Sequence, residues 1–271
     1  MKTLLLVAHG STSEPRALRS ARAHAERIRG TDAFESVETA FLKGGPDVGD
    51  VLQANSGDEV VVVPLLTSEG YFAGTVVPRE VTGAVPENSI VTYASPVGTS
   101  PLLSDVIRRR VRHAIGDRRD SVALALVGHG SERTPESGAS VRAHADRLRT
   151  REEFESVRAF FTDEEPTVET LLERVDAEEI VAVPVFMAEG THVREDIPRR
   201  LGVTNGGEEP STVDGRTITY TDPVGTDPAI AWIALQSALE AVEGATFEGS
   251  STEPYVWNAS SAPWEKLKPT P

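Results

Sequence analysis

Apolar residues along the chain come as short, nearly unbroken runs, and between them lie longer stretches in which they recur at helical spacing. Lys2–Ala8 and Ser121–Val127 are leucine- and valine-rich runs that give out at glycine, the pattern of strands buried on both faces. Arg16–Arg29 and Glu136–Arg149 set Ala, Leu and Ile at helical intervals among Arg and acidic residues, each an amphipathic helix. Glu35–Phe41 and Phe154–Phe161 are read as second strands, and Glu59–Leu66 and Glu179–Phe186 as third. Ser89–Ala94 and Thr217–Thr221 are the fourth, followed by the long helices Pro101–Ile115 and Asp227–Val242. Strands separated by helices predict right-handed βαβ crossovers and a mainly parallel sheet.

The paired elements reflect an internal repeat. His9-Gly10-Ser11 recurs as His129-Gly130-Ser131, and the offset of 120 holds without a gap through Pro78-Arg79 and Pro198-Arg199. Of the 71 aligned positions from His9 to Arg79, 27 are identical, which chance does not produce. Pro96-Val97-Gly98-Thr99 returns as Pro223-Val224-Gly225-Thr226 at offset 127, so the second half gains seven residues, assigned to Asn205–Gly215. The expected architecture is α/β: two tandem doubly wound domains with mainly parallel sheets, related by a pseudo-twofold axis. They span residues 1–118 and 119–244. Residues 245–271 belong to neither repeat, and with Trp257 and Trp264 they are expected to form an extended strap.

Composition narrows the chemistry. The 271 residues include no cysteine, which excludes disulfides, thiolate metal sites and cysteine nucleophiles. No apolar run reaches 18 residues, so neither a membrane span nor a signal peptide is expected, and the chain reads as cytoplasmic. A net charge of −15 argues against nucleic acid, whose phosphates need clustered cations. Only four of the 27 basic residues are lysine, a balance that points to a high-salt cytoplasm where carboxylate repulsion is screened.

Ligands of open α/β sheets bind beyond the carboxyl ends of the strands. Nucleotide motifs are missing there: Gly128-x-Gly130 lacks the third glycine of a dinucleotide loop, and there is no phosphate-cradling G-x-x-x-x-G-K-[ST] run. What remains is histidine. His129 follows the first strand of the second half and His192 its third, so both imidazoles lie at one edge of one sheet. Such a pair suits Co²⁺, Ni²⁺ or Fe²⁺ and can accept protons near neutral pH. The first half has His9, but the counterpart of His192 is Phe72, beside Tyr71. His24 and His144, mid-helix between alanines, are read as packing or surface residues, and His113 is given no chemistry.

Leu-Val-Gly-His129-Gly-Ser, the Pro166-Thr167-Val168 turn and Glu189-Gly-x-His192-x-x-x-Asp196-Ile-Pro198 resemble the CbiX-type class II chelatases. This family includes sirohydrochlorin cobaltochelatases and their nickel- and iron-inserting relatives. The likeness covers about residues 3–240 and corresponds to the fused, two-domain form, so a monomer is expected. It implies nucleotide-independent insertion of a divalent metal, cobalt favoured, into a tetrapyrrole. His129 and His192 match the family's metal-binding histidines. The family's Phe-Leu-Glu pattern at the second strand is replaced by Phe161-Thr162-Asp163-Glu164-Glu165, leaving Asp163 or Glu164 as the acidic ligand, with Asp163 preferred. Glu189 is expected to orient an imidazole. Arg133 and Arg194, with Arg199 and Arg200 nearby, are expected to meet substrate carboxylates, and His9, Tyr71 and Phe72 to line the substrate platform. The alternatives are a non-catalytic tetrapyrrole or metal carrier and an iron or nickel chelatase of the same fold.

Overall fold

The Leu-Leu-Leu-Val run of β1 (Lys2–Gly10) is buried throughout, and so is all of β5 (Val122–Gly128). Strands apolar on both faces must lie mid-sheet beneath helices on each side, and each of these two does. A computed structural model describes residues 2–86, 89–116, 121–204 and 209–244. In it β1 sits between β2 (Ser36–Lys43) and β3 (Glu59–Leu65), with β4 (Ile90–Tyr93) outermost in the order β2-β1-β3-β4, all parallel. The second sheet repeats this as β6 (Ser156–Phe161), β5, β7 (Glu179–Pro184) and β9 (Arg216–Tyr220), and adds antiparallel β8 (Ser211–Val213) at its edge.

That extra strand was not anticipated. Within residues 209–215, the described part of the expected insertion, β8 forms a hairpin with β9 through the two-residue turn Asp214-Gly215, with φ of 49° and 79°. Asp-Gly is a favoured pair for a turn needing two positive φ values. The expected junction at residues 118/119 and the tail 245–271 lie outside the described residues.

Helices α1 (Arg19–Arg29) and α2 (Val48–Ala54) cover opposite faces of the first sheet, followed by α3 (Val77–Ala84) and α4 (Leu103–Ile115). The second unit has α5 (Glu136–Arg149), α6 (Leu171–Arg174), α7 (Ile197–Leu201) and α8 (Ala229–Gly244). The last helix of each repeat crosses over: α8 packs on α1, β3 and β4, while α4 packs on α5 and β7. One side of each sheet therefore faces a common core, in which Leu4 and Leu6 join the same cluster as Leu124 and Leu126.

Two histidines fasten that junction. His24 on α1 donates from Nε2 to the Gly225 carbonyl, and His144 on α5 donates from Nε2 to the Gly98 carbonyl, both at 2.8 Å. Neither glycine has room for a side chain, since a Cβ would stand 2.2 Å from the Thr67 or Met187 carbonyl oxygen. Both histidines are 1% exposed, so the packing reading holds and the surface one does not. Burial lowers the pKa of each despite the opposing carbonyl bonds, that of His24 to about 4. Ser104 bonds His144 Nδ1 at 2.9 Å, whereas His24 Nδ1 has no partner among the described residues. Among the described residues, no helix is long and apolar enough to cross a membrane.

Candidate functional site

Each central strand ends in a sharp turn that exposes its histidine. Gly10 and Gly130 adopt φ of +68° and +69°, and a Cβ on Gly130 would come within 2.8 Å of the Glu164 carboxylate. Only glycine accepts both the angle and the contact, so the chain folds back at once and leaves His9 and His129 on the rim. In each case Nδ1 faces the next residue's carbonyl, Gly10 at 3.0 Å and Gly130 at 3.1 Å. A carbonyl only accepts, so Nδ1 carries the hydrogen and Nε2 keeps its lone pair.

The third strand of each unit is followed by a loop and one wide π turn, Phe72–Val76 or His192–Asp196, which runs into α3 or α7. Such turns recur at functional sites. Pro78 and Pro198, just beyond, have no N–H for the widened ladder to strand. In the second unit the turn brings Asp196 Oδ2 to 2.9 Å from His192 Nδ1, while Arg199 donates to Oδ1 at 2.6 Å. Desolvation alone raises the Asp196 pKa, but the bonds and charges of Arg199 and His192 outweigh it and hold the carboxyl below its usual range. An anionic Asp196 keeps the hydrogen on His192 Nδ1, and Nε2 is again the free nitrogen.

The rings of His129 and His192 meet edge to face with centroids 5.7 Å apart, and both side chains are about half exposed. Asp163 Oδ2 lies 3.4 Å from His129 Nδ1. Glu164 is engaged elsewhere: it accepts from the Ser131 N–H at 3.1 Å and pairs with Arg142, whose guanidinium lies over the Phe161 ring. Of the two carboxylates left open by the sequence, Asp163 is the one beside an imidazole. Among the described residues no three His, Asp or Glu side chains form a closed metal cluster, so the rim is an open imidazole pair with a flanking acid.

Glu189 is a correction. It was expected to orient an imidazole, but its carboxylate faces Arg194 at 3.5 Å, and the acid on His192 is Asp196. The π turn sets residues 192 and 196 side by side, whereas Glu189 precedes it on the loop. The signal was present as an acid four residues after the histidine. The four arginines expected around the motifs are also not equivalent. Arg194 and Arg199 hold Glu189 and Asp196, and Arg200 faces Glu169 and the Thr162 carbonyl. Arg133 is exposed and has no acidic partner among the described residues.

In the first unit Phe72 occupies the place of His192, its ring 4.8 Å from that of His9, with Tyr71 5.7 Å beyond. Tyr71 is 53% and Phe72 40% exposed, two adjacent aromatic rings on the rim of the first unit. Their loop reaches the other unit: a Cβ on Gly70 would lie 3.3 Å from Ser137 Cα at the start of α5, whereas Gly190, its counterpart, has open space.

Two doubly wound units that share a core and carry histidines on their strand-end rims define a tandem α/β protein of the chelatase class. A family model described as CbiX matches residues 3–114 and 123–241. The chain belongs to the CbiX family. It is 37% identical over 268 residues to a Halobacterium salinarum protein named a probable sirohydrochlorin cobaltochelatase, covering 89% of this chain and 92% of that one. A sirohydrochlorin cobaltochelatase of Methanopyrus kandleri is 35% identical over 141 residues, 97% of its length and 45% of this chain, about the size of one repeat. SirB from Bacillus subtilis with Fe³⁺ superposes with a TM-score of 0.72, covering 90% of this chain and 97% of that one. At 20% identity that likeness is one of fold. DR2241 of Deinococcus radiodurans, described as a multi-domain protein with structural similarity to chelatases, gives 0.72 at 26% identity. The match covers 88% of this chain and about half, 54%, of that one.

Proposed function

We propose that the chain inserts a divalent metal, cobalt favoured, into sirohydrochlorin or a closely related tetrapyrrole at the rim of the second unit. The observation that carries this reading is the pair His129 and His192, each with its Nδ1 hydrogen taken by an oxygen and its Nε2 lone pair left open. Two such nitrogens replace water on an incoming metal ion, and Asp163, whose carboxylate lies 3.4 Å from His129 Nδ1, adds negative charge that favours a cation on that ring. Insertion exchanges one divalent cation for the two pyrrole protons of the macrocycle. The imidazole that releases the metal is a base positioned to take up one of them. Tyr71 and Phe72 offer a face for the flat macrocycle, and Arg133, exposed on the rim, is the cation at hand for its carboxylates, while Arg194 is already paired with Glu189. Nothing in this route calls for a nucleotide. The name of the Halobacterium relative supports both the substrate and cobalt.

The test is anaerobic absorbance of sirohydrochlorin with Co²⁺, Ni²⁺ and Fe²⁺ in turn, with and without protein. Acceleration that is lost in His129→Ala and His192→Ala is expected, fastest with cobalt. Stoichiometric binding with no acceleration over the uncatalysed rate would mean a carrier.

A further inference from the structure

The second unit holds a cavity of about 280 Å³ away from the histidine rim, between α5, the outer strand β6 and α6. Its volume approaches the range of small-ligand pockets. Four arginines line it, Arg142, Arg149, Arg158 and Arg174, with Asp146 in the lining and Glu164 and Glu165 pairing two of the arginines from beside it. In a chain of net charge −15 such a convergence of cations runs against the overall balance.

Three of the four are held in place by neighbours. Arg142 pairs with Glu164, Arg149 with Asp146 and the Val157 carbonyl, and Arg174 with Glu165 at 3.2 Å. Arg158 has no acidic partner among the described residues. The repeat shows which of these the fold itself requires. At offset 120, Arg142, Asp146 and Arg149 correspond to Arg22, Glu26 and Arg29, and Arg29 also bonds its strand edge, at the Val37 carbonyl. Arg158 and Arg174 instead correspond to Glu38 and Ala54. The shared residues therefore build the helix–strand contact, and the second unit alone adds two cations around the cavity.

We propose that this cavity binds a small multivalent oxyanion, a polycarboxylate or polyphosphate, with Arg158 and Arg174 as its distinguishing contacts. Guanidinium forks match carboxylate and phosphate oxygens in pairs. With Arg142, Arg149 and Arg174 each sharing a carboxylate and Arg158 without one among the described residues, a ligand with several oxygens can bridge the guanidinium forks where a single halide ion cannot. The lining includes neither rim histidine, so the proposal does not rest on the reading of the metal site.

Calorimetric titration of the full chain with pyrophosphate and with citrate tests it, at the lowest KCl concentration that keeps the circular dichroism native. Saturable one-to-one binding of at least one anion is expected, and the tighter one identifies the chemistry. Arg158→Glu with Arg174→Ala, which installs the first unit's residues, should weaken binding by about tenfold or more, the loss of a charge-assisted contact. Lys43→Glu, an exposed charge reversal elsewhere, should leave it unchanged. Should the double variant not fold, Arg158→Gln removes only the unpaired guanidinium and is expected to cost severalfold in affinity. Absence of saturable binding, undiminished affinity in the Arg158 variants, or an equal loss in Lys43→Glu would overturn the proposal.

Discussion

Acid should destabilise the fold through the two buried histidines at the junction of the units, and the size of the effect follows from His24. Its pKa falls from 6.5 in the unfolded chain to about 4 in the folded one, because burial disfavours the imidazolium more than the Gly225 carbonyl and Asp227 favour it. The folded pKa is the lower one, so this stability is fully present above pH 6.5 and is lost as pH falls towards 4. In that window the unfolded chain binds a proton that the folded chain refuses, at ~1.4 kcal/mol per pH unit. Carried to pH 4, His24 alone accounts for about 3 kcal/mol, a large share of the roughly 5–15 kcal/mol that stabilises a typical protein. His144 shifts in the same direction for the same reason and steepens the slope. The assay is urea denaturation in molar KCl at steps from pH 7 to 4.5, followed by circular dichroism. His24→Gln keeps an N–H able to meet the Gly225 carbonyl but cannot titrate. Its stability at pH 7 should be lower, and its decline with acid shallower by about one proton. If His24→Gln falls as steeply as the parent chain, the acid sensitivity lies elsewhere than in His24.

Four further outcomes are expected. His129→Ala and His192→Ala should each slow metal insertion on the order of 10²-fold or more, while His9→Ala, whose ring faces Phe72 rather than a second imidazole, should slow it far less. Asp196→Asn should weaken cobalt binding about 10–100-fold by releasing His192, read by titration of Co²⁺ absorbance without tetrapyrrole; affinity within twofold of the parent would remove Asp196 from the site. Ala231→Ser places on α8 the counterpart of Ser104, at offset 127, and should satisfy His24 Nδ1. A buried acceptor so satisfied is worth ~1 kcal/mol, or roughly 2–4 °C in Tm by calorimetry. The thermal midpoint should also rise as KCl goes from about 0.1 M to molar concentrations, since screening relieves the repulsion of 42 acidic residues; a flat or falling midpoint would contradict the high-salt reading.

The fold was legible in the sequence wherever burial is two-sided. A strand such as Val122–Gly128 has to be apolar at every position, and a helix such as Glu136–Arg149 at every third or fourth, so period and length identify both. The duplication was legible as well, because identity at a constant offset needs no geometry to be seen. The two rim histidines came from strand order alone, since parallel strands deliver their carboxyl ends to one edge. Strand β8 escaped because three residues are too few to show a period, although Asp214-Gly215 was there to be read.

What the tertiary structure alone decided concerns direction and partnership. The acid four residues after His192 was a signal in the sequence, but with Glu189 three residues before that histidine only the π turn shows that Glu189 turns to Arg194 and Asp196 to His192. Nor do residue types separate Asp163 from Glu164, which differ by whether Arg142 lies within reach. His24 and His144 look alike in sequence, yet His144 finds Ser104 on the helix crossing over it, while His24 Nδ1 finds no partner among the described residues. Period and composition record how each residue relates to water, which the chain states locally. Which polar group meets which depends on how segments come to pack, separated by five residues for Glu189 and Arg194 and by 201 for His24 and Gly225, and that is fixed only in the folded chain.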